Sequence, residues 1–325
     1  MNLSHRLVIT SPSNAVAVTP YLLGFHPTDS LVVIGLGPGS SFTLRFDLVR
    51  REHYKALLAH MRGLMVRNDA EAAVLLGYGS EDMTVPLLTQ AWDTLADTLA
   101  VKDVVRVDGG RWWSLMCTDP QCCPREGRPY DINASQLAAQ ATFAGLVAYR
   151  SREEMAAMVA PVEGEDRVWM AAETERAQQE FLSDGPASRL LLDEGLQLVR
   201  SLIGEDRRLT DEETARLSIV LIHLRVRDEA WARLLTLDSQ QQLRLWQDTT
   251  RRAIGEYAAA PAALLAFLAY INGDGTLAKI ALERCAEVAP SYRMAALIED
   301  CLRYGLPPQT VRERFDGMLE MLPDA

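Results

Sequence analysis

What most constrains the fold of this chain is the point at which its strand-like patterning stops. Up to about Asn133 the sequence mixes two periods; beyond it every patterned segment has helical spacing. A chain written this way cannot close one sheet along its whole length. It predicts an α+β protein, with a mixed α/β sheet domain over residues 1–132 and an all-helical domain over 133–325.

In the first stretch, Ser13 and Asn14 can cap a short helix running to Leu23, with Gly24 as its stop. Leu31 to Ile34 is a continuous apolar run, as a buried strand requires. Phe42, Leu44, Phe46 and Leu48 alternate with Thr43, Arg45 and Asp47, so a second strand follows the Gly-rich segment 35–41 and the pair reads as a hairpin. Arg50 to Val66 has helical spacing, Ala72 to Tyr78 is strand-like, and Thr84 to Leu99 is helical with Pro86 expected in its first turn. Val104–Val107 and Arg111–Leu115 flank Asp108-Gly109-Gly110, a second hairpin signal. The order is helix, hairpin, helix, strand, helix, hairpin.

In the second stretch an Ala-rich helix is expected over 133–149. Ser151 with Glu154, and Thr210 with Glu213, have the spacing of capping boxes that open helices. Val162 to Phe181 reads as a charged, half-exposed helix, broken by Asp184-Gly185-Pro186. Further helices follow over 228–237, 239–257, 261–271, 276–288, 291–304 and 308–322. Leu265, Ala278, Leu282 and Pro290 fall where a tetratricopeptide unit places its own pattern residues, so the tail 259–322 resembles such a unit; an ordinary helical bundle is the alternative.

Composition narrows the function classes. Against 33 basic residues stand 44 acidic ones, a net charge of −11, which speaks against a uniformly basic nucleic-acid or anionic-membrane surface. The segment Met1 to Ser13 lacks the pattern of a signal peptide, and no stretch is long and apolar enough to span a bilayer. A cytoplasmic protein is expected, and there five cysteines read as free thiols or metal ligands rather than structural disulfides.

Three of those cysteines, Cys117, Cys122 and Cys123, lie within seven residues, with Pro120 and Pro124 stiffening the loop and Gly127 permitting a sharp exit. Three readings compete. Three thiolates with one imidazole, from His26, would make a tetrahedral zinc site; against it, the pattern is C-x4-C-C, and adjacent cysteines tend to point apart. A thiol pair could instead form a redox switch or a nucleophile, with Arg125 favouring the thiolate. Or the loop simply packs on Trp112 and Trp113, cysteine being a small buryable hydrophobe. Cys285 and Cys301 fall on apolar helix faces and are expected in the core.

Other candidates stand beside plainer explanations. His26 and Asp29, between the first helix and first strand, could be a ligand pair or an acid–base pair, or merely hold a turn. Gly35-Leu36-Gly37-Pro38-Gly39 superficially resembles a phosphate loop, but a strand rather than a helix follows it, so a hairpin turn is the stronger reading. Arg45 and Asp47 share a polar strand face and could meet a ligand or only each other. Tyr78 ends a strand where open α/β sheets bind ligands. Of Trp112 and Trp113, one is expected in the core and the other is free for stacking.

The stretches PYLLGFHPTDSLVVIGL at 20–36, RFDL at 45–48 and RWWSLMCTDPQCCPREGRP at 111–129 are together similar to an actinobacterial family, domain of unknown function 4192. The tail from Leu264 to Pro308 resembles that family's helical end. The resemblance implies an actinobacterial cytoplasmic protein and transfers no activity. It marks His26, Asp29, Arg45, Asp47, Cys117, Asp119, Cys122, Cys123 and Glu126 as a signature. Two functional expectations follow. One is an α/β module that binds a ligand or zinc, with Arg45, Asp47, Tyr78 and Trp112 as ligand contacts, joined to a helical module that binds a protein partner. The other is a metal- or thiol-dependent hydrolase of a small molecule, with His26, Asp29, Asp119 and Glu126 around the reacting group.

Overall fold

The structure is a computed structural model and describes residues 8–38, 41–181 and 189–319. The chain divides into two compact units, one ending at Glu154 and the other beginning at Met155.

The first unit is built on a six-stranded mixed sheet. Its strands are β1 (Ser30–Leu36), β2 (Ser41–Asp47), β3 (Ala72–Tyr78), β4 (Ala100–Asp108), β5 (Arg111–Ser114) and β6 (Arg128–Pro129), in the spatial order β2-β1-β3-β4-β5-β6. Only β3 and β4 run parallel, joined by the crossover helix α3 (Glu81–Ala96); the other neighbours are antiparallel. Both expected hairpins form. In the second, Gly109 and Gly110 both take positive φ, 53° and 74°, the requirement of a tight two-residue turn.

Strand alternation divides the side chains between two faces. Leu31, Val33, Ala73, Leu75 and Val104 pack against α2 (Tyr54–Arg67) and α3, and the alternating Phe42, Leu44 and Phe46 of β2 join them. The opposite face meets α1 (Pro12–Leu23), on which α4 (Gln136–Phe143) packs in turn. Residues 136–143 therefore belong with the sheet unit.

Local chemistry explains three departures from expectation. The cap of α1 is Ser11, whose hydroxyl accepts from the Asn14 N–H, not Ser13 or Asn14; Gly24 closes the helix at φ 81°, as read. Helix α3 opens at Glu81, so Pro86 lies in its interior rather than its first turn and removes the bond to the Asp82 carbonyl. The Ala-rich helix stops at Phe143 instead of reaching Tyr149. Gly145, at φ 87°, ends it, and the following chain pairs with the end of α1: the Tyr149 N–H donates to Gly24 and the His26 N–H to Tyr149.

The second unit is helical throughout its described residues. The predicted break at Asp184-Gly185-Pro186 lies outside the described residues, as do residues 1–7 and the end of the last helix beyond Leu319. The Thr210 capping box is complete: the Glu213 N–H donates to the Thr210 hydroxyl and the Glu213 carboxylate accepts from the Thr210 N–H. At the other predicted box the Glu154 N–H donates to Ser151, while the Glu154 carboxylate reaches one residue further back, to the Arg150 N–H.

The centre of this unit is α11 (Ala259–Ile271), buried at every position. It is wrapped by α10 (Ser239–Arg252), α12 (Gly275–Val288), α13 (Arg293–Arg303) and α14 (Pro308–Leu319). A helix apolar on all sides needs neighbours on all sides, which is the arrangement of a bundle; helices of an open tetratricopeptide stack keep one face free. Trp231, Phe267 and Phe315 fill one end of it, with ring centroids 4.6–5.3 Å apart. Among the described residues no helix is long and apolar enough to cross a membrane.

Candidate metal centre

The cysteine loop leaves the sheet at the end of β5 and returns through β6. Its foundation is the tryptophan pair. Trp112 pairs with Val107, faces α1 and is buried. Trp113, on the other face, pairs with Arg106, whose guanidinium lies over the indole at 4.0 Å from its centroid. One tryptophan is thus core, and the stacking partner of the other comes from within the chain.

The loop is tied to this base by its own backbone. The Trp113 indole N–H donates to the Arg125 carbonyl at 3.0 Å. Arg111 donates to the Gly127 carbonyl at 2.8 Å, and Arg128 to the carbonyls of Gln121 (2.9 Å) and Cys122. Gly127 takes φ 75° and lies flat on Trp113: a Cβ there would stand 2.4 Å from the ring. No side chain fits that position. Within the loop the Cys123 N–H donates to the Asp119 carbonyl at 2.7 Å, and the Asp119 carboxylate accepts from the Gln121 N–H.

That turn brings the thiols together. The sulfurs of Cys117, Cys122 and Cys123 all lie within 4.8 Å of one another; Cys122 is exposed and the other two are half-buried. The objection that adjacent cysteines point apart holds for extended backbone. Cys122 and Cys123 close a helical turn, where neighbouring side chains diverge by about 100° rather than 180°. The environment also separates the thiols electrically. The Asp119 backbone N–H, followed by the Cys123 thiol, lowers the Cys117 pKa. Burial, followed by hydrogen bonding to Cys117, pushes Cys123 up to about 11. Arg125, expected to favour the thiolate, is not among the causes; its carbonyl instead anchors the loop.

The remaining candidates are dispersed. His26 is not in the thiol cluster: it lines a separate cleft with Tyr21, Tyr130 and Arg150. Asp29 takes φ 42°, and its carbonyl accepts from the Leu48 N–H; no hydrogen bond joins it to His26 among the described residues. Asp119 is in the loop, but its carboxylate serves the turn. Glu126 is exposed, and its carbonyl accepts from Arg111. Arg45 donates to Ser30 and pairs with Asp47 at 2.6 Å, with its guanidinium over Phe25. Tyr78 is buried on the α1 face. Cys285 is buried as expected, whereas Cys301 is only half-buried.

Sequence reading missed the residues that position the site, Arg106, Arg111 and Arg128. Arginines in strands carry no distinguishing pattern; Arg106 acts by lying over the Trp113 indole, and Arg111 and Arg128 act by donating to carbonyls of the loop.

No curated protein and no solved structure gives a significant match to the chain. A family model does match, over residues 12–309. On that match the chain belongs to the family described as domain of unknown function (DUF4192).

Proposed function

We propose that the sheet unit binds a thiophilic divalent cation, zinc, through Cys117, Cys122 and Cys123. The observation that carries this reading is the mutual approach of the three sulfurs within 4.8 Å on a loop held by Trp113, Arg111 and Arg128. Zinc–sulfur bonds of about 2.3 Å in a tetrahedron set sulfurs about 3.8 Å apart, so the loop needs to contract by no more than about 1 Å. The lowered pKa of Cys117 favours the thiolate that a metal requires. Thiolates of this kind persist in a reducing, cytoplasmic compartment.

No histidine or carboxylate joins the three sulfurs among the described residues. The fourth position therefore falls to water or to an incoming ligand, the arrangement of zinc sites that work on substrates rather than only hold a fold. That keeps hydrolysis of a small molecule as the second reading. The helical unit is proposed as the partner-binding module; support comes from Val168 and Trp169, adjacent and mostly exposed near the start of α6 (Gly164–Phe181).

The test is metal content by mass spectrometry on protein purified reduced and without chelator. About one zinc per chain, lost in Cys117→Ser and in Cys123→Ser, is the expected result for a three-thiolate site. Metal-free protein that also fails to compete with a chromophoric chelator for added zinc would overturn the reading.

A further inference from the structure

The sheet unit contains a second concave site that owes nothing to the thiols. It is a cleft of about 850 Å³ at the carboxyl ends of the parallel pair β3–β4. The position follows from the topology. Ser30 pairs with Tyr78, so the segment before β1, with His26, arrives where β3 ends; Gly110 stands two residues past the end of β4. Tyr130 donates its N–H to Gly110, and the chain from Thr142 to Arg150 closes the other wall by pairing with the end of α1. Carboxyl ends of parallel strands are where open α/β sheets place ligands, because the loops that diverge there leave a crevice.

Three observations point to what the cleft takes. Ile132, Leu146 and Val147 give it an apolar wall. Arg150 is its one Arg or Lys side chain, and among the described residues that guanidinium makes no ion pair; the one carboxylate lining the cleft, Asp131, accepts from the Asn133 N–H in its own turn. Lastly, the Tyr78 hydroxyl is buried between the Thr19 hydroxyl on α1 and Tyr130, and among the described residues it makes no hydrogen bond of ordinary geometry. A buried phenol is stabilised by any partner that reaches it, and the neighbouring Tyr130 lines the cleft.

We propose that this cleft binds a small organic anion, a carboxylate or phosphate ester with an apolar body. Arg150 meets the charge, the apolar wall holds the body, and Tyr130, which lines the cleft, links the ligand to the Tyr78 hydroxyl buried behind it. His26 lines the same cleft and reports on it. Burial lowers its pKa, which favours the neutral ring, able to accept as well as donate.

The probes are benzoate and phenyl phosphate, with benzamide as the uncharged counterpart, titrated into the full chain at millimolar concentration. The readout is the His26 imidazole resonance, assigned with His26→Gln. A saturable shift with either anion and none with benzamide is expected, and the anion that binds tighter distinguishes a carboxylate ligand from a phosphate. Arg150→Ala should weaken binding roughly ten- to a hundredfold, the effect of losing one charge-assisted hydrogen bond. Tyr78→Phe should weaken it several-fold without lowering the unfolding midpoint; a purely structural Tyr78 would lower the midpoint and leave affinity alone. Cys117→Ser should leave the titration unchanged, which separates this site from the metal centre. Absence of a saturable shift, equal binding of benzamide, or full affinity in Arg150→Ala would overturn the proposal.

Discussion

Replacing Gly127 by alanine probes the metal centre without touching a thiol. Two costs add. A residue with a Cβ held at φ 75° carries about 1–2 kcal/mol of backbone strain. The new carbon would also stand 2.4 Å from Cε2 and 2.6 Å from Cζ2 of Trp113, atoms of a rigid ring pinned beneath Arg106, so the loop rather than the ring must give. Lifting the loop sacrifices the bond from the Trp113 indole to the Arg125 carbonyl, worth about 1 kcal/mol. The sum, about 2–3 kcal/mol, opposes the loop arrangement that brings the sulfurs together. It translates to roughly thirty- to a hundred-and-fiftyfold weaker zinc binding, measured by chelator competition. Gly109→Ala is the control. It sits at φ 53° in the neighbouring turn with no atom near its Cβ, so it carries strain but no collision. It should lower stability modestly and leave zinc affinity alone. Wild-type affinity in Gly127→Ala, or equal losses in both variants, would refute the argument that Trp113 shapes the site.

Other consequences can be read in the test tube. With metal removed, Cys117 and Cys122 should react readily with a thiol reagent at pH 8 and Cys123, raised to about 11 but half-buried, more slowly, while Cys285, raised as far and fully buried, should react only on unfolding; fast reaction of Cys285 would contradict its placement. Arg207 grips Glu213 through two bonds of 2.6 and 2.7 Å and holds its carboxyl at about 2 against an ordinary value of 4.5. Because the folded value is the lower one, this stabilisation is complete above about pH 4.5 and is lost as the pH falls towards 2. Glu213→Gln should thus cost about 1 kcal/mol at pH 7, the pair being partly exposed and screened, and little near pH 2; a pH-independent loss in urea titrations would count against it. Gln242 is buried, donates to the Ile203 carbonyl and accepts from the Trp246 indole, so Gln242→Leu strands two groups. A loss of about 2–4 kcal/mol in urea unfolding is expected, and a neutral result would mean that other groups satisfy them.

How far the fold could be read depended on whether a segment's pattern had one structural meaning. The alternation of Phe42, Leu44 and Phe46 against Arg45 and Asp47 has one, and β2 formed with those rings on the core face. The run from Ala72 to Tyr78 is short and ends in Gly77-Tyr78-Gly79, which suits a strand covered on both sides, whereas the longer apolar run of α11 forms a buried helix. Helix ends were less legible. The Ala-rich stretch before Tyr149 is compatible with helix throughout, and it is tertiary pairing with Gly24 and His26 that pulls its second half straight. Strand β6 could not have been found: Arg128 and Pro129 carry no period, and they pair only because the loop returns there.

The site shows the same division more sharply. The cysteines, Gly127 and the tryptophans were visible as a cluster in the sequence, because chemistry-bearing residues crowded into one loop are conspicuous without any coordinates. Their mutual geometry was not visible, and the C-x4-C-C spacing even argued against a common ion. That argument assumed an extended loop. The bond from the Cys123 N–H to the Asp119 carbonyl replaces extension with a turn, and Arg128 locks it by taking the carbonyls of Gln121 and Cys122. Spacing rules for metal ligands are thus rules about backbone conformation, and they fail where a side chain from outside the motif dictates that conformation. The pairing of His26 with the thiols failed for the complementary reason. Its position is set by the start of β1, which delivers it to the carboxyl end of β3 and into the cleft of Tyr130 and Arg150. His26 and the thiols, parts of one signature in the sequence, therefore fall in two places in the fold. A test of either is cleanest in the variant that disables the other.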